Sequence, residues 1–181
     1  MNWYDEGPFS ILDIETTGFS TDYDRIIQVA IKRINLDGSI EKFSTFINPE
    51  RYIPKRITQL TKISDNDVIN SPKFIEIADE LLNFLDGSIL VAHNAKFDLR
   101  FIQHSLQNAG RPQWSGKTMD TIAICKTIYP GLKSYKLGEL QRILNIDVES
   151  SSKNLHNAEY DVDLTFELLK HLFTIVLENN K

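Results

Sequence analysis

Apolar and polar positions along the chain predict one mixed α/β domain. Five strands are expected, over 9–14, 25–34, 40–47, 88–92 and 117–119. The first three are rich in β-branched residues, and Asp37-Gly38 marks a hairpin between the second and third. The fourth is a short, continuous apolar run, which is typical of a strand covered on both faces. Single strands then alternate with helices, and this order indicates a mixed sheet.

Helical spacing of apolar residues fills most of the remaining chain. Helices are expected over 54–60, 71–85, 96–109, 120–128, 136–144 and 157–177. Ser71-Pro72 reads as the N-cap and first-turn proline of its helix. The serine-rich stretch 149–154 is expected to be a loop. No repeat or linker interrupts the pattern, so we expect residues 1–181 to form a single domain.

Composition excludes several classes of protein. The chain has 181 residues, 41% of them hydrophobic and 25% charged, which is typical of a globular domain and not of a disordered, collagen-like or coiled-coil chain. No apolar run approaches the roughly 20 residues that cross a bilayer, and the N-terminus lacks the form of a signal peptide. Cys125 is the single cysteine, which favours a reducing compartment. A cytoplasmic protein without a membrane partner is therefore predicted.

The charge is unevenly distributed. A net charge of −5 is unfavourable for binding nucleic acid. Residues 51–62, however, hold four basic side chains and no acidic one, and residues 110–142 hold six basic against two acidic. Each stretch is either a solvated face or a flank for a polyanion, and charge alone does not decide between them.

Two acids end the first predicted strand. Asp13 and Glu15 are two residues apart, so both carboxylates point to the same face of the strand. Like charges on an apolar, central strand are unfavourable unless a cation lies between them. The alternative is an ordinary solvent-exposed strand end.

Two further acids begin predicted helices. Asp98 follows the fourth strand within His93-Asn94-Ala95-Lys96-Phe97-Asp98, and Asp161 ends His156-Asn157-Ala158-Glu159-Tyr160-Asp161. Taken singly, each acid has an ordinary explanation at a helix N-terminus, and His156 has one as an exposed loop residue. Their combination with the strand acids weakens those explanations.

These segments resemble the three motifs of the DEDD 3′→5′ exonucleases. Asp13-Ile14-Glu15-Thr16-Thr17-Gly18 is similar to the first motif, 93–98 to the second and 156–161 to the third. Asn157 stands where the tyrosine branch has its tyrosine, so the chain resembles the histidine branch. That branch includes the proofreading subunit of bacterial DNA polymerase III, ribonuclease T and oligoribonuclease. The resemblance spans about 9–172 and implies a ribonuclease H-like fold, a five-stranded mixed sheet flanked by helices.

The resemblance also implies a two-metal mechanism. Four carboxylates are the expected metal ligands: Asp13, Glu15, Asp98 and Asp161. An all-carboxylate set suits two hard ions, Mg²⁺ or Mn²⁺. His156 is the expected general base, since histidine exchanges protons near neutral pH. The products would be nucleoside 5′-monophosphates released from the 3′ end.

Five substrate contacts are implied by the resemblance: Thr16, Thr17, Phe19, Thr61 and Phe97. The threonines at 16 and 17 have an alternative role in satisfying the turn, and Phe97 has one in the core. Leu60-Thr61-Lys62-Ile63 is similar to the Leu-Thr-Gly-Ile of polymerase-type relatives, but Lys62 replaces the glycine. The cations expected to flank the strand are Lys55, Arg56, Lys62, Lys133 and Lys136.

The favoured substrate is single-stranded DNA with a free 3′ end, and a DNA polymerase is a candidate partner. The motifs do not select the sugar, so an exoribonuclease acting on RNA ends or short oligoribonucleotides is the first alternative. A non-catalytic nucleic-acid-binding module is the second. Oligomeric state and base preference do not follow from the sequence.

Overall fold

A computed structural model describes residues 2–149 and 155–179 and confirms the predicted fold class. The strands are β1 (Phe9–Thr16), β2 (Ile26–Ile34), β3 (Ile40–Phe46), β4 (Ile89–Ala92) and β5 (Thr118–Asp120). They form one five-stranded sheet in the order β3-β2-β1-β4-β5. β1 and β3 are antiparallel to β2, whereas β1, β4 and β5 are parallel.

The pairing of β1 leaves one end of the sheet open. The parallel ladder between β1 and β4 runs from Phe9–Ile89 to Ile11–Val91. β1 continues beyond it while still paired with β2. The carboxyl ends of the parallel strands therefore border a crevice, which is where ligands bind in open α/β sheets.

The helices lie near their predicted positions. They are α1 (Lys55–Thr61), α2 (Asp65–Val68), α3 (Phe74–Leu85), α4 (Ala95–Asn108), α5 (Thr121–Ile128), α6 (Leu137–Leu144) and α7 (Ala158–Asn179). α2 and a 3₁₀ turn at Trp3–Glu6 were not predicted, because four residues are too few to show a periodicity. The loop predicted over 149–154 lies outside the described residues beyond Glu149.

The N-cap predicted at Ser71 is wrong. α3 begins at Phe74, and its N-cap is Lys73, two residues after Ser71. The Glu76 carboxylate accepts a hydrogen bond from the Lys73 backbone N–H at 2.7 Å, and the carbonyl of Pro72 accepts one from Asn48. Pro72 therefore belongs to the approach to the helix and not to its first turn.

Helices cover both faces of β1. Ile11 packs against α7, whereas Leu12 packs against α3 and α4. This double burial explains why the first part of β1 is mostly apolar in the sequence. Asp13 and Glu15 continue the α7 face beyond the apolar segment. Among the described helices, none is long and apolar enough to span a bilayer.

A buried ion pair fastens α7 to β2. The Nζ of Lys32 lies 2.7 Å from Oδ1 of Asp163, and both side chains are less than a tenth exposed. Lys42 approaches the same oxygen at 3.6 Å from β3. The ammonium of Lys32 also lies 4.1 Å from the ring centroid of Phe166. Because α7 carries part of the candidate site, this pair fixes the position of that site against the sheet.

We expect Lys32→Met to lower the free energy of unfolding by about 3 kcal/mol, since it leaves Asp163 buried without its main partner. The remaining Lys42 contact places the loss at the lower end of the usual range. Urea unfolding measures it. The matched control is Lys170→Met, which breaks the exposed pair with Glu167 and should cost less than about 1 kcal/mol. Equal losses in the two variants would contradict the role of the buried pair.

Candidate active site

Four acids and one histidine from distant parts of the chain line a single cleft at the open end of the sheet. Asp13 and Glu15 are the partly exposed positions of an otherwise buried β1. Asp98 lies in the first turn of α4 and Asp161 in the first turn of α7, and both are buried. His156, just before α7, is exposed. The structure thus brings together all five residues predicted for catalysis and metal binding.

The donor set fits a divalent cation. Glu15, His156 and Asp161 each offer a ligand atom, and these atoms lie within 4.8 Å of one another. Oδ1 of Asp161 is buried and has no hydrogen-bond partner within residues 2–149 and 155–179. An unpaired buried carboxylate oxygen is unfavourable unless a cation or proton satisfies it. Carboxylate oxygens are the ligands that Mg²⁺ and Mn²⁺ prefer.

The raised pKa values of the four acids also favour a cation site. Burial raises the pKa of Glu15 to about 8, and repulsion from Asp161 and Asp98 adds to the effect. Burial likewise raises the pKa of Asp161 to about 7. The pKa values of Asp13 and Asp98 are raised by burial and by neighbouring carboxylates. Near neutral pH, the cluster therefore retains protons that a cation must displace.

These shifts predict a pH-dependent metal effect on stability. Because the folded pKa values of Glu15 and Asp161 exceed those of an unfolded chain, metal-free protein loses stability as pH rises through about 7 to 8. Cations bind best once the protons have left. We expect Mn²⁺ to raise the melting temperature more at about pH 8 than at about pH 6 in thermal unfolding, with chelator cancelling the rise. An equal rise at both pH values would contradict this account.

The backbone of His156 adopts a left-handed conformation. Its φ is 63°, which a non-glycine residue adopts at an energetic cost. Its backbone N–H donates to Oδ2 of Asp161 at 3.2 Å. This bond ties the residue that leads into α7 to an acid in its first turn. The exposed imidazole stays beside the carboxylates as a result.

Four of the five predicted substrate contacts line the cleft, namely Thr16, Phe19, Thr61 and Phe97. Thr17 is the exception and requires a correction. It is fully buried, and its hydroxyl donates to Asp24 at 3.1 Å and accepts from the Arg25 N–H at 3.0 Å. Thr17 therefore holds the turn after β1, and the structure does not support a substrate contact by its side chain.

Two phenylalanines form an aromatic shelf at the cleft. Phe19 is 68% exposed, and its ring centroid lies 6.3 Å from that of Phe97 in an edge-to-face arrangement. Phe97 in turn packs against the core residue Phe101 at 5.1 Å. Arg100 donates to the backbone carbonyl of Phe19 at 2.9 Å and holds the loop in place. The ring of Phe19 is thus exposed in the cleft, whereas Phe97 packs against the core and also lines the cleft.

Lys62 preserves the loop shape that a glycine would give. Its φ of 64° and ψ of 11° are left-handed, and it ends α1 as its C-cap. The lysine Nζ donates to the Gln59 carbonyl at 2.8 Å, so the side chain folds back on its own helix. The Thr61 hydroxyl donates to Ile57 and accepts from the Ile63 N–H. The lysine in place of the usual glycine therefore leaves the shape of this loop unchanged.

Sequence reasoning missed two polar residues that position the site. Gln28 is buried on β2, and its Oε1 accepts a hydrogen bond from the Ala158 N–H at the start of α7, at 3.0 Å. Asp120 caps α5 and also accepts from the Asn94 N–H at 3.2 Å. The available signal for Gln28 was a lone amide inside an apolar strand, because such a group must find a partner.

The fold and the site together define a nuclease of the ribonuclease H-like class. Comparisons with known proteins specify it further. The RNase_T model, described as Exonuclease, matches residues 10–169. The chain therefore belongs to this family of exonucleases, and its resemblance to the DEDD 3′→5′ exonucleases is confirmed.

Curated relatives include replication proteins. DNA polymerase III subunit epsilon of Treponema pallidum is 35% identical over 162 residues, which cover 88% of this chain and 74% of that protein. A PolC-type DNA polymerase III of Clostridium perfringens is 38% identical over 165 residues, covering 91% of this chain and 11% of that protein. The chain thus spans about a tenth of the PolC-type polymerase but about three quarters of the epsilon subunit.

Solved structures agree on the fold. Exonuclease X, in complex with 5′ overhanging duplex DNA, superposes with a TM-score of 0.74 at 25% identity, covering 92% of each chain. Escherichia coli Exonuclease I, in complex with an oligonucleotide, gives a TM-score of 0.77 at 16% identity, covering 94% of this chain and 42% of that one. The second likeness supports the ribonuclease H-like fold alone.

Proposed function

We propose that residues 1–181 act as one exonuclease domain that hydrolyses single-stranded DNA from its 3′ end and releases nucleoside 5′-monophosphates. The observation that carries this proposal is the cluster of four acids in one cleft, with an exposed imidazole beside it. Oδ1 of Asp161 in this cluster has no hydrogen-bond partner in the part of the chain that the structure describes. Relatives named as DNA polymerase III components support DNA as the substrate.

The proposed cofactors are two Mg²⁺ or Mn²⁺ ions. Asp13, Glu15, Asp98 and Asp161 would hold them. When bound, such ions polarise the phosphodiester and stabilise the charge on the attacking and leaving oxygens. The carboxylates must lose their protons before they can bind the ions. Their positions are fixed by β1, α4 and α7, which carry them.

His156 is the proposed general base. Its imidazole is exposed in the cleft and reaches the same space as Glu15 and Asp161. A ring nitrogen there takes the proton from the attacking water, and the resulting hydroxide attacks the phosphorus of the terminal phosphodiester. The P–O3′ bond breaks, so the 3′-oxygen of the penultimate nucleotide leaves and the phosphate stays on the released nucleoside 5′-monophosphate. The backbone bond to Asp161 keeps His156 beside the carboxylates.

The terminal nucleotide is proposed to stack on the aromatic shelf formed by Phe19 and Phe97. Stacking on a ring face tolerates any base, which suits an exonuclease that must remove all four. Thr16 and Thr61 line the same part of the cleft. Lys55, Arg56, Lys62, Lys133 and Lys136 are the cations proposed to flank the rest of the strand. We propose a cytoplasmic location and a replicative DNA polymerase as the protein partner, which co-purification tests.

One assay separates the proposed function from its alternatives. Equal concentrations of 5′-labelled single-stranded DNA, duplex DNA and short RNA are incubated with Mg²⁺, with Mn²⁺ and with chelator. The proposal predicts a metal-dependent ladder that shortens stepwise from the 3′ end, fastest on single-stranded DNA. Faster loss of RNA would replace it with an exoribonuclease, and binding without shortening would replace it with a non-catalytic module.

A further inference from the structure

A basic loop, residues 129–136, runs along one side of the cleft between α5 and α6. It carries Lys133 and Lys136, which line the cleft with exposed side chains. Neither lysine forms an ion pair within the part of the chain that the structure describes. Both ammonium groups are therefore available to a polyanion.

Tyr135 organises the interior of the basic loop. Its hydroxyl donates to the Tyr129 carbonyl at 2.7 Å and accepts from the Leu132 N–H at 3.3 Å. The Nζ of Lys126 lies 5.6 Å from its ring centroid. The Tyr129 hydroxyl also hydrogen-bonds Nε2 of His171 on α7 at 2.7 Å. The loop therefore has a defined shape and is attached to α7 at its start.

The lysine-bearing end of the basic loop is attached by His93. Nε2 of His93 lies 2.8 Å from the Tyr135 carbonyl oxygen, and Nδ1 lies 2.8 Å from the Thr121 hydroxyl. A carbonyl only accepts, so Nε2 carries the proton and donates, while Nδ1 accepts from the hydroxyl. Burial lowers the pKa of His93, which keeps the ring neutral.

His93 is not available for chemistry, although it lines the cleft. Both of its ring nitrogens are already hydrogen-bonded to protein. It lies five residues before Asp98, as His156 lies five residues before Asp161. The two histidines nevertheless differ in environment, because the ring of His93 is mostly enclosed and that of His156 is exposed.

We propose that His93 is a positioning residue that fixes the basic loop against the β4–α4 turn, so that Lys133 and Lys136 meet phosphates of the bound strand. This inference rests on the proposed function, because it names the residue that orients the substrate path of the same cleft. The turn after β4 therefore has two roles, since it leads into the first turn of α4, which carries Asp98, and also holds the loop that receives the upstream phosphates.

The test measures strand binding separately from hydrolysis. Binding of a 5′-fluorescein oligodeoxythymidylate is followed by anisotropy, with Ca²⁺ replacing Mg²⁺, over a series of salt concentrations. His93→Leu is expected to weaken binding about 5- to 10-fold, the effect of losing one buried hydrogen bond. The slope of log K against log salt should also become shallower, by up to about 1.4 for two lost phosphate contacts. Leucine and neutral histidine carry the same charge, so only displaced lysines explain a changed slope.

Steady-state kinetics and a variant that lacks both lysines provide two further measurements. In hydrolysis of the oligonucleotide, His93→Leu should raise KM and leave kcat within about twofold. Cleavage of a mononucleotide p-nitrophenyl ester, too short to reach the basic loop, should be unchanged. In a Lys133→Ala, Lys136→Ala background, adding His93→Leu should weaken binding less than about twofold, because coupled residues are not additive.

Two further variants keep the test decisive. His93→Gln retains an N–H donor for the Tyr135 carbonyl and should recover most of the affinity, even where the leucine variant folds poorly. His104→Leu, on α4 and outside the cleft, should change nothing. Equal losses with and without the lysines, or an unchanged salt slope, would overturn the inference. Strand binding without any hydrolysis by the unaltered chain would end the proposed function but leave the binding test of His93 intact.

Discussion

Asp13→Asn should lower strand hydrolysis by about 10³-fold while raising the melting temperature of the metal-free protein at about pH 8. The loss of rate follows because a ligand that helps hold the ions contributes several kcal/mol to the transition state, and each 1.36 kcal/mol is tenfold. The gain in stability follows because the pKa of Asp13 is raised by burial and by Asp98, Asp161 and Glu15. Asparagine is nearly the same size and removes that repulsion.

Single-turnover kinetics and thermal unfolding in chelator measure the two effects. Asp37→Asn is the matched control, because Asp37 lies at the exposed hairpin far from the cleft and should change neither quantity by much. A loss of activity below about tenfold would show that Asp13 is dispensable for metal binding. A lower melting temperature in the Asp13 variant would show that the carboxylate is satisfied by protein alone.

His156→Ala should lower turnover by roughly 10²–10⁴-fold and leave the Mn²⁺-induced rise in melting temperature in place. The physical reason is that a general base transfers a proton in the transition state, whereas the carboxylates carry the metal affinity. Because His156 lies within 4.8 Å of Glu15 and Asp161, its role as a ligand must be tested in the same experiment. Turnover and thermal shift together separate the two roles.

The left-handed backbone of His156 offers a sharper version of this test. Glycine accepts a φ of 63° without strain, so His156→Gly should fold at least as well as the alanine variant. Added imidazole should then restore part of the activity by acting as a diffusible base. His104→Ala serves as the control. Unchanged turnover would remove His156 as the base, and a lost Mn²⁺ response would make it a metal ligand instead.

The fold and the main residues of the site could be predicted from the sequence because their signals are local. A hairpin signal at Asp37-Gly38, a mostly apolar β1, a continuous apolar β4, and helical spacing in α3 and α7 are each complete within one segment. The acids could be grouped because they stand near the ends of those elements and match the three motifs of the DEDD exonucleases. In the structure, the end of β1 and the first turns of α4 and α7 meet at one edge of the sheet.

The supporting contacts could not be predicted because they join residues far apart in the chain. The amide of Gln28 and the N–H of Ala158 are 130 residues apart, and the carboxylate of Asp163 and Nζ of Lys32 are 131 apart. The correction at Thr17 has a different origin: its partner Asp24 is only seven residues away, but their contact depends on the shape of the turn between them. The sequence of a motif shows that a side chain can donate a hydrogen bond. It does not show which group in the folded protein accepts that bond.

Several of these contacts offset the instability of the site. Four acids with raised pKa values disfavour a compact cluster, and each is held by an element with its own anchors. The Lys32–Asp163 pair and the Gln28–Ala158 bond fix α7 to β2, while Asp120 fixes the β4–α4 turn. The packed fold thus places carboxylates where their repulsion is relieved by a cation.

Crystals of the protein grown with Mn²⁺ test the central claim most directly, through the anomalous scattering of the metal. The account predicts anomalous density in the cleft among the carboxylates of Asp13, Glu15, Asp98 and Asp161, with the imidazole of His156 beside it. Manganese bound elsewhere on the surface, with these four carboxylates directed away from one another, would contradict it.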